Sequence, residues 1–117
     1  MYDNVISVYT RQQAIEDGIF LDVTEVAKAH GFNIPVAVTR NLYHNHIDDP
    51  SIMGTRSNLD VIFKALKDAI LKQTEPDTMM TFNATFGTKV VDVWAVIEGT
   101  SPDDPTPCMS LMMPEDY

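Results

Sequence analysis

His44, His46 and Asp48 stand two residues apart with Asp49 beside them, and they form the sequence's best candidate for a metal site. On an extended strand this spacing would put two imidazoles and a carboxylate on one face, a donor set that suits zinc or a similar divalent ion. The surrounding sequence argues against that use. His44 lies near the end of a predicted helix, where a spacing of two does not converge, and no cysteine stands close enough to complete a set of four ligands. A solvated loop is the expected outcome, with no metal or other cofactor. Arg40 follows an apolar run and has two readings: a partly buried ion pair with Asp17 or Asp22, which is favoured, or a bidentate grip on an anionic ligand. Asp22 and Asp92 could act as paired carboxylates only if the fold joined them, and nothing in the sequence does so. Ser101, Ser110 and Cys108 lack a nucleophile motif, and the five dispersed glycines make no phosphate-binding loop. No catalytic residue is assigned.

Charge narrows the range of partners. The chain of 117 residues carries 17 acids against 8 bases, a formal net charge of −9. Its bases, from Arg11 to Lys89, are scattered among acids, so a direct grip on nucleic-acid backbone is disfavoured. The acidity reads first as solubility and second as steering toward a protein with a basic surface. No apolar run reaches the roughly 20 residues of a membrane span, and Met1 to Thr10 lacks the basic-then-apolar pattern of a leader. The lone Cys108 fits a reducing cytoplasm. The length is that of one domain, expected to span residues 1–117.

The elements that must position these groups follow from capping and period. Leu59, Ile62, Phe63, Leu66 and Ile70 recur at spacings of three and four. An amphipathic helix is therefore predicted from Ser57, its cap with Asp60 in the capping-box position, to Gln73, stopped by Pro76. Asp60 with Lys64 and Asp68 with Lys72 should form surface pairs. Earlier, Val5 to Tyr9 reads as a short strand or an extended lead-in. Thr10 reads as the cap of a short helix through Ala14 and Ile15 that stops at Asp17-Gly18, and Ile19 to Val23 as a strand. Thr24 is read as the cap of a second helix closed by Gly31, with Phe32 packing back. Pro35 to Thr39 fits a buried strand or a helix start. The favoured reading is a helix through Leu42 and Tyr43, followed by a loop from His46 to Thr55.

After Pro76 the period drops to two. Phe82, Ala84 and Phe86 alternate with Thr81, Asn83 and Thr85; past a turn near Gly87, Val91, Val93, Ala95 and Ile97 share a face. A polar loop from Gly99 to Pro107 precedes a third strand in which Met109, Leu111 and Met113 alternate with Cys108, Ser110 and Met112. The expected architecture is α+β: short N-terminal helices and a central amphipathic helix packed on a small antiparallel sheet, a C-terminal three-strand meander. The same alternation sends Val90, Asp92, Trp94, Val96 and Glu98 to the other face. Three of those five are apolar and need cover, part from the N-terminal helices and the rest from an interface with a second copy or a host partner. Trp94, Val90 and Val96, with Arg40, are therefore the candidate binding residues. Met79, Met80, Met109, Met112 and Met113 read as core filler before they read as an adaptable binding surface.

Several short stretches carry a resemblance: Tyr9-Thr10, Ala14-Ile15, Asp17-Gly18, Asp22-Val23, Ala27, Gly31-Phe32, Pro35 to Arg40, and the ending Met112-Met113-Pro114-Glu115-Asp116. They resemble a family of small uncharacterised proteins found in plasmid, phage and other mobile-element gene sets. The resemblance implies no catalytic residue. It implies a setting in which small acidic proteins block host factors. The expected function is a non-enzymatic macromolecule-binding protein, an inhibitor of a host defence system. Two alternatives stand beside it: a small enzyme or ligand-binding protein using the His44 to Asp49 loop, and an oligomeric structural protein. The expected partner is a protein with a basic surface, with a homodimer as the other reading.

Overall fold

Period-two stretches supply most of one mixed sheet. Its strands are β1 (Phe20–Asp22), β2 (Val36–Thr39), β3 (Met79–Phe86), β4 (Lys89–Ser101) and β5 (Asp104–Met112), in the order β1-β2-β5-β4-β3. This is a computed structural model, and it describes residues 11–74, 78–101 and 104–116. β2 runs parallel to β5, and the other neighbours are antiparallel. β3, β4 and β5 form the predicted meander; two N-terminal strands extend it, so that β5 stands in the middle. Gly87, at φ +64°, opens the two-residue turn between Phe86 and Lys89. A positive φ at the first central position is what a type II′ hairpin turn requires.

The helices are α1 (Arg11–Glu16), α2 (Thr24–Ala29), α3 (Arg40–Leu42) and α4 (Ile52–Lys72). α4 supplies the inner layer: its Leu59, Ile62, Phe63 and Leu66 are buried with Val36, Val38, Phe82, Ala84, Val91, Val93, Ala95, Met109 and Leu111. Ile70, at the end of the predicted stripe, is exposed. Gly31 takes the left-handed conformation after α2, at φ +90°. The rings of His30 and Phe32 then reach Phe63, with centroids at 5.5 and 5.6 Å. On the outer face, Ala14 of α1 packs with Phe20, Ala37, Val96 and Met112 in a second, smaller core. The methionines of β3 and β5, with Met113 just past β5, belong to these two cores: Met109 and Met112 are buried, and Met79, Met80 and Met113 are partly so.

Several local expectations are corrected. Residues 36–39 are a strand, and the helix starts only at Arg40, capped by Thr39, whose hydroxyl accepts from the Leu42 N–H at 3.3 Å. All four β2 residues are buried, because β2 lies between β1 and β5 and both its faces are covered. The stretch read as a loop, His46 to Thr55, takes in the end of a π-helical turn, Tyr43–Ile47, and the first turn of α4. Ser51, not Ser57, caps α4 by accepting from Gly54 N–H at 2.9 Å. Gly54 is a helical residue here: a Cβ on it would strike the Asp49 carboxylate that holds the Ser51 N–H. Thr24 is the first residue of α2 and not its cap; Asp22 Oδ1 accepts from its N–H at 2.9 Å.

Asp60 does not meet Lys64. It accepts from Arg56 Nε at 3.2 Å and lies 2.7 Å from His30 Nε2. The supposed polar loop is mostly ladder, since Gly99 pairs with Pro107 and Ser101 with Asp104 around an irregularity. The expected strand at Val5 to Tyr9, the Thr10 cap and the Pro76 stop lie outside the described residues.

Candidate functional site

β4 alternates between the two cores, and its outer-facing residues meet unequal cover. Val96 is 9% exposed within the smaller core, Trp94 is half-buried against that core, and Val90 is 61% exposed. Across the hairpin, Trp94 stands beside Thr81, Asp92 beside Asn83, and Val90 beside Thr85. Thr81, Asn83 and Thr85 are all exposed. The outer hairpin face is thus a polar strand next to one carrying Val90 and Trp94.

Two polar clasps hold the sheet around this face, and neither was legible in the sequence. The Arg11 guanidinium donates to Ser110 Oγ at 2.9 Å and to the Met109 carbonyl at 2.6 Å, with its carbon 5.5 Å from the Phe20 ring centroid. Ser110 is fully buried, so this donor satisfies a hydroxyl that water cannot reach. At the other clasp, Asp116 Oδ2 accepts from Thr39 Oγ1 at 2.7 Å and from the Met113 N–H at 3.0 Å. Its Oδ1 accepts from Asn41 Nδ2 at 3.1 Å. The only sequence signal was an acid near the end of the chain, which specifies no partner.

Of the other candidates, Arg40 is exposed and makes no ion pair among the described residues, with Asp17 or with Asp22. Asp22 turns instead to Thr24. Asp22 on β1 and Asp92 on β4 are separated by β2 and β5, about 14 Å at ordinary strand spacing, so they form no acid/base pair. The π-helical turn sends its histidines apart. His44 Nδ1 lies 4.0 Å from Asp48 Oδ2, whereas His46 stacks on Phe86 at 6.1 Å. Burial holds the His46 imidazole below its ordinary range, and the Lys89 cation adds to this against Glu115. No group of three or more His, Cys, Asp or Glu among the described residues could hold a metal ion. Burial pushes the Cys108 thiol up, as suits a small packed hydrophobe.

Two cavities lined by described residues are small. One of about 280 Å³ lies beside Leu21, Val23, Tyr43 and Leu59, and one of about 220 Å³ beside His46, Lys89, Val90, Asp92 and Glu115. Both fall short of the roughly 300–1,000 Å³ usual for small-molecule sites. No helix among the described residues is long and apolar enough to cross a membrane.

The fold and the candidate residues define an α+β protein with a mixed five-stranded sheet, in which Val90, Trp94 and Val96 share one face of β4, Val90 also lines the cavity beside His46, and Arg40 stands on α3. The chain belongs to DUF6573, a family of unknown function, whose model matches residues 2–117. No curated protein and no solved structure matches it significantly.

Proposed function

We propose that this chain is a non-enzymatic binding protein whose recognition surface is the outer face of the β3–β4 hairpin. The observation that carries this reading is Val90, an apolar strand residue left 61% exposed on the same face as the half-buried Trp94. Val96, sealed in the core beneath, fixes the strand that presents them. β5 runs parallel to β2 and antiparallel to β4, so the end of β2 and the start of β4 lie at one end of the sheet. The exposed Arg40 and Lys89 therefore flank that end. An aromatic anchor with a polar rim is the usual composition of a binding hot spot.

The partner is a protein with a basic surface, drawn in by the −9 charge. The resemblance to proteins of mobile-element gene sets supports the role of an inhibitor of a host defence system, acting in the cytoplasm. The test compares wild type with Val90→Asp in capture from the native host, then measures association with the purified partner at low and high salt. Val90→Asp should keep the wild-type melting temperature and lose the partner, and wild-type association should slow steeply as salt rises. Equal capture by both proteins would remove this face from the reading. An association rate indifferent to salt would remove the basic partner.

A further inference from the structure

We infer that β3 is a pairing edge whose occupant is β3 of a second copy of this chain, antiparallel about a two-fold axis through Asn83. The inference concerns the edge of the sheet and does not depend on the surface proposed for its outer face.

Phe86 and Lys89 close a two-residue turn, so they are the first hydrogen-bonded pair of the hairpin, and such pairs recur at every second residue. Ala84 with Val91, Phe82 with Val93 and Met80 with Ala95 continue the series. The alternate residues Thr81, Asn83 and Thr85 therefore aim their N–H and C=O groups away from β4. They point to an edge where β3 has no neighbour among the described strands. Proteins blunt such edges with lysine, proline, a bulge or a very short strand. β3 uses none of these: its eight residues carry no charge and no proline, and they keep unbroken register with β4. The opposite edge differs, because β1 has three residues and ends in Asp22.

Two observations select a second copy as the occupant. A chain of net charge −9 repels its own copies, and β3, whose eight residues carry no charge, is the edge at which two copies can meet without a like-charge contact between the paired strands. The strand is also self-complementary. In an antiparallel pair with Asn83 on the axis, Asn83 faces Asn83, Thr81 of one chain faces Thr85 of the other, and every outward N–H and C=O of these residues finds a partner. Threonine pairs across strands are favourable. On the inner face Phe82 meets Ala84 and Phe86 meets Met80, so each ring faces a small or a flexible side chain. Moving the axis to Phe82 sets that ring against its own copy and loses the threonine pairs. The product is one sheet running through both copies with their α4 helices on the same side.

A hydrogen-bonded antiparallel pair puts its Cα atoms about 5.5 Å apart, with side chains splayed slightly beyond direct disulfide reach, so a short bis-maleimide is the linker that spans it. Asn83→Cys should therefore be cross-linked into a dimer by that reagent, and Thr85→Cys alone should not. Thr81→Cys combined with Thr85→Cys should link again. Cys108 is buried and does not compete. Wild type should sediment at twice the mass of one chain, and Asn83→Lys, which sets like charges face to face, should sediment as a monomer with an unchanged circular dichroism spectrum. A monomeric wild type across the accessible concentration range would overturn the inference, as would Asn83→Cys linking no more than Thr85→Cys.

Discussion

Val90 and Val91 are neighbours in β4, yet Val91 is 5% exposed under α4 while Val90 on the opposite face is 61% exposed. Residue type and propensity are the same for both, so the difference lies in the second layer each face receives. The inner face meets a helix of 21 residues; among the described residues the outer face meets the six of α1 and the Arg11 clasp. The inner layer therefore carries the larger cover, and the outer hairpin face carries the smaller one among the described residues. One strand meets both layers because its side chains alternate.

The largest effect should come from the inner layer. Phe63 is fully buried beneath His30 and Phe32, so Phe63→Ala should cost about 3–5 kcal/mol in chemical denaturation. A much smaller loss would break the comparison. Next comes the outer clasp. Arg11→Met keeps the apolar stem over Phe20 but strips the donor from the buried Ser110 hydroxyl and the Met109 carbonyl, at about 1–3 kcal/mol.

Smaller again is the dependence on pH. His46 is held below its ordinary 6.5 by burial and by Lys89, so its contribution is fully present above 6.5 and is lost as pH falls from there through the lowered value. Asp60 is held below its ordinary 3.8, first by the His30 hydrogen bond. Its contribution is present above 3.8 and is lost as pH falls through the still lower folded value. Melting temperature against pH should show both steps, with the upper one missing in His46→Phe and the lower one in Asp60→Asn. Least of all, Val90→Thr should change stability by no more than about 0.5 kcal/mol. A larger loss would mean that the outer face is structural after all.

What the sequence made legible was periodicity with one wet face. The stripe from Leu59 to Leu66, the alternation in β3 and β4, and the outward positions of Val90 and Trp94 all follow from it. β2 carries no such signal, because Val36 to Thr39 is buried on both sides and a strand without a wet face shows no alternation. The start of α4 is masked in the sequence because Gly54 and Pro50 look like breakers, whereas the Asp49 and Ser51 side chains make that glycine the residue that fits. Pro105 and Pro107 hid the far end of the β4–β5 ladder. They are tolerated because β2 pairs with β5 only at Met109 to Leu111, which leaves the earlier part of β5 an edge where a missing N–H costs little. Of the site, the face was legible and the clasps were not, since Arg11 and Ser110 are 99 residues apart.

The middle place of β5 sets an order of assembly. At roughly 5–20 residues per second, β1–β2 and then β3–β4 leave the ribosome as separate antiparallel pairs, before the strand that joins them exists. In that interval the facing edges of β2 and β4, two of the most apolar strands of the chain, are both open and exposed to mispairing. Insertion of β5 closes both in one event, after a long chain closure whose cost slows folding. A nascent chain halted before Asp104 should therefore depend on chaperones in a way that the full chain does not, and pelleting of the arrested fragment with and without a holdase measures that dependence.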